Sequence, residues 1–549
     1  MKMKKRYLWI ALGVIVTQLS SCSKFLDTVP TDRISDKVVW KDSKTVTLYV
    51  NSFYKYIHDW GNFGSQQSSG NLTEGLTETL KYGSYVTGDR YGSANILAFQ
   101  PERFDPNGGF LGAWGAAYTG IRRVNEFLVS LEKYSELSTR DNLLFEGQAR
   151  FFRAFLYFQL AKRHGGVILY TDMNLVKDKN KSSASDTWDL IASDLDFAAS
   201  NLPKSWDNKN KERVTKGAAF ALKSRAMLYA ERWKLAKDAA DSVLRLNKYQ
   251  LMDNYADSWK GANSESILEY NYLATAGGPN HDFDKYYAPF AEMPNLGGAA
   301  TPTQEMVESY ENKLGHQVNW SPWHVDKGTT TRPPYDELEP RFHATIIYNG
   351  SIWKGKTMEN SVDGTNGRYM DYTEHPRSEG RTTTGYYLRK LLDESNVTLD
   401  TRNSTQSWVE LRLAEVYLNR AEASYRLGDI GTAVEDINTI RQRPGVGLPP
   451  KQGLTGEPLM EAIRQERKIE LAYEGHLYWD MRRWKLAHID YNGFRTHGMR
   501  ISKSGTGFIY EYVDCDLQDR KFLKKTYVLP IPNTEFLNNS AIEQYDEWK

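Results

Sequence analysis

Apolar residues recur along this chain at alternating steps of three and four, the spacing that keeps side chains on one face of an α-helix. From Lys216 the stripe runs through Ala219, Leu222, Ala226, Tyr229 and Trp233, and after a short break Ala236, Ala239, Val243 and Leu246 continue it. A second stripe, Leu411, Ala414, Leu418, Ala421 and Tyr425, ends at Gly428, a residue type suited to a helix C-cap. Ala433, Ile437 and Ile440 then open a partner stripe. Both segments read as helical hairpins.

Small alanines on the apolar faces let the paired helices approach closely, and each pair resembles a tetratricopeptide unit. A further helix is predicted over 144–163, with Leu144, Phe151, Phe155 and Phe158 on one face and Gly165-Gly166 as its stop. Helices are also expected near 45–57, 114–134, 187–201 and 459–474. Only 344–348 and 527–531 read as short strands. The predicted fold class is mainly α: a tetratricopeptide-like scaffold of helical hairpins with an irregular, loop-rich subdomain. The loops are two long stretches, 60–110 and 277–400, rich in Gly, Asn, Ser, Thr and aromatics. Connections this long are usually functional or disordered, and aromatic content argues against disorder. A binding surface is expected there.

The amino terminus changes the picture from a plain helical protein to an exported one. Lys2, Lys4, Lys5 and Arg6 precede an apolar run from Tyr7 to Val16, and the small residues Ser20 and Ser21 lead to Cys22. The run is shorter than the roughly 20 residues a membrane span needs, so 1–21 is expected to be removed as a signal peptide. Leu19-Ser20-Ser21-Cys22 resembles a lipobox, which makes Cys22 the expected lipid-attachment site. Stable anchoring needs more than one acyl chain, each buried methylene contributing about 0.8 kcal/mol. Cys515 is the only other cysteine, so no disulfide framework is available and the body must rely on its core. At 549 residues, division into packed subdomains is expected. The 70 basic and 69 acidic side chains leave a net charge of +1 with no long basic run, which argues against nucleic acid as a partner.

Glu466, Glu470 and Glu474 are spaced four apart and fall on one predicted helix face, a tempting pair-of-carboxylates arrangement for glycoside hydrolysis. Arg464, Arg467, Arg482 and Arg483 lie close in sequence, however, and neighbouring guanidiniums lower carboxylate pKa values, whereas a general acid needs one raised. The expectation is a bracing ion-pair network and no catalytic residues. No metal-binding, cofactor or nucleophile-elbow motif is found, and neither a metal nor a cofactor is expected. For sugar binding the requirement is a flat aromatic face flanked by planar polar groups. Trp60, Tyr85, Arg90, Tyr91, Trp320 and Trp323 are the candidates, with Asn62, Asp89 and Asn319 beside them. Trp114, Trp479 and Trp484 are expected to be core.

A series of ordered motifs covers nearly the whole chain: Cys22 with Phe25-Leu26-Asp27; Trp114, Tyr118, Arg122 and Asn125; Arg150-Phe151-Phe152-Arg153-Ala154; Lys216-Gly217-Ala218-Ala219. In the carboxyl-terminal part stand Leu411-Arg412-Leu413-Ala414-Glu415, Glu466-Arg467-Lys468-Ile469-Glu470-Leu471, Trp479-Asp480-Met481-Arg482-Arg483-Trp484 and Leu529-Pro530-Ile531-Pro532. These resemble the SusD/RagB family of outer-membrane lipoproteins of Bacteroidetes. Pro444 departs from the pattern, where the family more often has a small residue. The resemblance implies a cell-surface lipoprotein that is anchored in the outer membrane through its lipid, faces outward, binds glycan and delivers it to a SusC-type TonB-dependent transporter, without catalysis. The alternatives it leaves are a peptide ligand for the same kind of lid, or a lipoprotein glycoside hydrolase. The implied organisation is signal peptide 1–21, lipidated Cys22, tether 23–45, helical region 46–275, loop-rich ligand-binding region 276–404 and helical region 405–549.

Overall fold

The computed structural model describes residues 39–61, 72–83, 98–104, 111–174, 176, 178–273, 280–374, 379–399 and 403–549. Among the described residues, ten helices of seven residues or more build the scaffold: α1 (Ser43–Asn51), α2 (Trp114–Tyr134), α3 (Thr139–His164), α4 (Ala184–Asn201), α5 (Lys216–Tyr229), α6 (Trp233–Arg245), α7 (Leu413–Arg426), α8 (Ile430–Arg441), α9 (Gly456–Glu470) and α10 (Leu477–Arg483). Each long helix from α2 to α8 packs on the next, and α9 packs on α7. Local chemistry starts them. Ser138, Thr215 and Asp429 cap α3, α5 and α8 by accepting a backbone N–H, and Ser183 with Asp186 forms a capping box on α4. Gly428, at φ +80, closes α7. The fold is mainly helical, as the periodicity predicts, and the α5–α6 and α7–α8 pairs are the two expected hairpins.

Four local expectations differ from the structure. The first stripe does not run through Trp233: Glu231 adopts φ 56 and Arg232 N–H donates to the Met227 carbonyl, so the chain turns and Trp233 opens α6. Leu411 belongs to a strand, and the expected helix 459–474 stops at Glu470. The expected strand 527–531 is instead a 3-10 turn, Lys524–Tyr527, followed by extended chain whose Leu529 N–H donates to the Arg163 carbonyl at 2.8 Å.

Among the described residues ten short strands pair in twos. They are β1 (Leu80–Tyr82), β2 (Ser266–Tyr270), β3 (Ala300–Pro302), β4 (Ile346–Ile347), β5 (Ile352–Trp353), β6 (Lys356–Thr357), β7 (Tyr387–Leu388), β8 (Trp408–Arg412), β9 (His497–Ser504) and β10 (Gly507–Asp514). The antiparallel partners are β1–β3, β2–β8, β4–β7, β5–β6 and β9–β10. The β9–β10 hairpin was not predicted. It joins the loop-rich layer through Thr329, which bridges Tyr510, and through Met499 N–H on the Thr384 carbonyl.

Two large apolar cores result. One lies within the helices, around Phe151, Phe155, Leu195, Leu222 and Val416; the other lies under the loops, around Phe283, Tyr310, Phe342, Tyr386 and Ile501. Buried charged residues lie between them.

Candidate ligand-binding surface

Two glutamates of the last turns of α9 and one just beyond it are turned inward. Glu466, Glu470 and Glu474 are 2 %, 0 % and 4 % exposed. Glu470 accepts from Arg412 at 2.8 Å, Arg443 at 2.9 Å and Arg341 at 3.2 Å. Glu474 accepts from Arg412 Nη2 at 2.7 Å and from Lys390 at 2.6 Å, and Glu466 accepts from Arg341 at 2.5 Å. Arg412 comes from β8, Arg443 from the end of α8, and Arg341 and Lys390 from the loop-rich layer, so one cluster ties all three together. Burial pushes the Glu470 carboxyl up, but Arg443, Arg412 and Arg341 outweigh it and hold the group well below the usual carboxylate range. A permanently ionised, sealed carboxylate cannot donate a proton to a glycosidic oxygen. The network braces the fold, but its cations are not the arginines near in sequence: Arg464 pairs with Glu457, Arg467 with Asp480 and Arg483 with Glu422 and Asp480.

The loop aromatics divide. Trp320 is buried, 4 % exposed, in the core under the loops, and its Nε1 finds no acceptor among the described residues. Its ring is therefore closed to solvent. Trp323 stands three residues on, its ring 5.6 Å from that of Trp320 and tilted 61° to it; it is half-buried and its Nε1 donates to the Thr331 carbonyl at 3.0 Å. Asn319 Oδ1 accepts from the Ser321 N–H and hydroxyl, an Asx turn that leads into the two indoles. Trp60 ends a short helix, Lys55–Trp60, and is half-buried against the helical core. Tyr85, Arg90 and Tyr91, with Asn62, Asp89 and Cys22, lie outside the described residues. Before Tyr85, Gly83 N–H donates to the Ala299 carbonyl and the Gly83 carbonyl accepts from Thr383.

Beside Trp323 the structure adds residues that sequence reading missed. Tyr512 of β10 is stacked between two imidazoles, His324 at 4.0 Å and 29° and His497 at 4.5 Å and 18°. Each imidazole is held by a glutamate of one short helix, Gln304–Glu308: His324 by Glu308 at 2.6 Å and His497 by Glu305 at 2.6 Å, with Asp514 at 3.2 Å from the second ring nitrogen of His497. Burial disfavours the charged His497 ring, yet the bond from Glu305 and the charges of Glu305 and Asp514 prevail and raise its pKa. The result is a half-exposed surface of flat rings with carboxylates at its edge. No local sequence signal pointed to it, since the partners in the stack come from segments nearly 200 residues apart.

Among the described residues no helix is long and apolar enough to cross a membrane, and no group of three His, Cys, Asp or Glu side chains is placed to hold a metal ion.

Comparison with known proteins places these features. Residues 264–548 match the model of the SusD family, and residues 71–228 match a model described as starch-binding, associating with outer membrane. A SusD-like protein of Bacteroides ovatus is 24% identical over 598 residues, covering 99% of this chain and 98% of its own. The crystal structure of a SusD-like protein from Bacteroides fragilis is 29% identical, with a TM-score of 0.77 over 94% of this chain and 100% of that one. A second B. fragilis structure, described as a SusD-like carbohydrate binding protein, is 24% identical, with a TM-score of 0.74 over 92% of this chain and 100% of its own. With its matched motifs spread over both the helices and the loop-rich layer, the chain belongs to the SusD family.

Proposed function

We propose that this protein is a glycan receptor of the outer membrane: a lipoprotein, anchored by acyl chains on Cys22 and facing outward, that binds an oligosaccharide or polysaccharide through its loop-rich layer and passes it to a SusC-type TonB-dependent transporter. The observation that carries the reading is the half-exposed ring surface of Trp323, Tyr512, His324 and His497, set on a family scaffold whose tempting carboxylates are sealed inside. Flat rings stack on the C–H face of a pyranose, and the flanking carboxylates accept from its hydroxyls. The relatives' descriptions as carbohydrate-binding and outer-membrane-associated proteins support the ligand class and the location. Trp60, Tyr85, Arg90 and Tyr91 remain candidate contacts.

The test is calorimetric titration of residues 23–549 against a panel of oligosaccharides, with product analysis of the same mixtures. Binding that leaves the sugar intact, weakened at least tenfold by Trp323→Ala, is the expected result. Released products would establish the hydrolase instead, and heat only with peptides would establish a peptide receptor. Co-purification with the transporter from membranes tests the partner, and loss of membrane retention in Cys22→Ala tests the anchor.

A further inference from the structure

Among the described residues, every buried arginine but two is neutralised by a carboxylate. Arg153 pairs with Asp194, Arg225 with Glu410 and Glu415, Arg467 with Asp480, Arg520 with Asp516, and Arg341, Arg412, Arg441 and Arg443 with the glutamates of the central network. The exceptions are Arg163, 9 % exposed, and Arg482, 4 % exposed. They face the same ring. The guanidinium carbon of Arg163 lies 4.9 Å and that of Arg482 5.3 Å from the centre of the Trp479 indole, and the ammonium of Lys162 lies 4.7 Å from it. Three cations thus converge on one indole, where the last turn of α3 meets α10.

The acidic groups nearby are already engaged. Glu410, whose charge Lys162 senses, takes Arg225 at 2.6 Å and Trp408 Nε1 at 2.9 Å; Asp480, next to Trp479, takes Arg467 at 2.9 Å and Arg483 at 2.8 Å. Neutral oxygens satisfy part of the donor set: Arg163 reaches the Leu111 and Gln159 carbonyls at 2.8 and 2.9 Å, and Arg482 reaches the Tyr527 carbonyl at 3.0 Å. Two buried donors are left over without an acceptor, Arg482 Nε and Gln159 Nε2, the latter on the residue whose Oε1 already accepts from Arg163. Burial and the charge of Arg163 press the Lys162 ammonium well below its ordinary range, and burial with Arg482 brings Arg163 down to about 9, as befits cations that lack a counter-charge.

We propose that Lys162, Arg163 and Arg482 form a binding site for a small oxyanion, a phosphate or sulfate group, either free or carried as an ester on a glycan, entered past the half-exposed Lys162. An oxyanion supplies the negative charge and the multiple acceptors that these donors lack.

Thermal melts of residues 23–549 in phosphate or sulfate, against chloride at equal ionic strength, test the site. Above saturation the midpoint is expected to climb by about 1 °C for each tenfold rise in anion. Lys162→Met and Arg482→Gln are expected to lose that response, and calorimetry with inorganic phosphate is expected to show at least tenfold weaker binding in both. Lys162→Met serves alone if Arg482→Gln does not fold, because its side chain is partly in solvent. No difference between phosphate or sulfate and chloride overturns the proposal. So does a response retained in both variants, which would be a general salt effect. Displacement of phosphate by a sulfated but not an unsulfated oligosaccharide would assign the anion to a glycan; displacement by neither would assign it to the free ion.

Discussion

Glu470 is the residue through which this protein's two cores are joined, and removing its charge alone is the sharpest test of the structural reading. Glu470→Gln keeps the side chain's size and leaves three guanidiniums facing a neutral amide: Arg412 at 2.8 Å, Arg443 at 2.9 Å and Arg341 at 3.2 Å from the present carboxylate oxygens. All four residues are buried. Removing one partner of a buried pair strands the other's charge and costs about 3–5 kcal/mol. An unfolding entropy of roughly 2.1 cal/mol/K per residue amounts to about 1.1 kcal/mol per degree for a chain this long. The melting midpoint should therefore fall by about 3–5 °C at pH 7, read by circular dichroism or calorimetry. Because the folded-state pKa of Glu470 is depressed, its contribution is present above the unfolded value of about 4.5 and is lost as pH falls toward the folded value. The gap between wild type and variant should stay constant from pH 8 to 5.5 and close only in stronger acid. Glycan binding measured below the melting range should be unchanged. A midpoint within 1 °C of wild type at pH 7 would refute the bracing role, and abolished activity toward glycan in a folded variant would reopen the catalytic one.

Glu74 is expected to give the opposite pH dependence. Burial, aided by the charge of Glu474, pushes its carboxyl up to about 7, and no basic side chain pairs with it among the described residues. Its contribution is full below the unfolded value of 4.5 and lost as pH rises through 7, so Glu74→Gln should match wild type near pH 5 and exceed it by up to about 3 kcal/mol at pH 8 in denaturant melts. Trp320→Ala should lower stability by about 3–5 kcal/mol, as a core deletion does, whereas Trp323→Ala should change stability far less and act on binding. Gly428→Ala should cost about 1 kcal/mol in the same melts from backbone strain alone, because φ is +80 and the added Cβ would meet nothing within 4 Å.

Much of the scaffold was legible because helices are local. Stripes at three and four residues, Gly428 and the run of phenylalanines in α3 located the helical hairpins and their faces, and the arginines near Glu466–Glu474 in sequence already argued for ion pairs over catalysis. The strands were not legible in the same way. β8 exists because Arg412 and Trp408 pair with Ser266 and Tyr270 across well over a hundred residues, so Leu411, which fits a helical stripe, is drawn into a strand. Likewise 527–531 has strand-like composition but no strand beside it to pair with; its extended backbone is held by Arg163 and Gln544 instead.

By itself, the sequence determined the fold class, the helical hairpins and the family motifs, since each rests on neighbours a few residues apart. Tertiary structure alone decided which members of those patterns face solvent. Trp320 and Trp323 are equivalent in composition and nearly so in position, yet one is sealed in the loop core and the other is half-exposed. Arg153 and Arg482 both stand in family motifs, but only the first meets a carboxylate. Burial and charge pairing are set by contacts between segments as far apart as Glu265 and Arg412, 147 residues, and no local pattern of residue types encodes which distant partner will arrive.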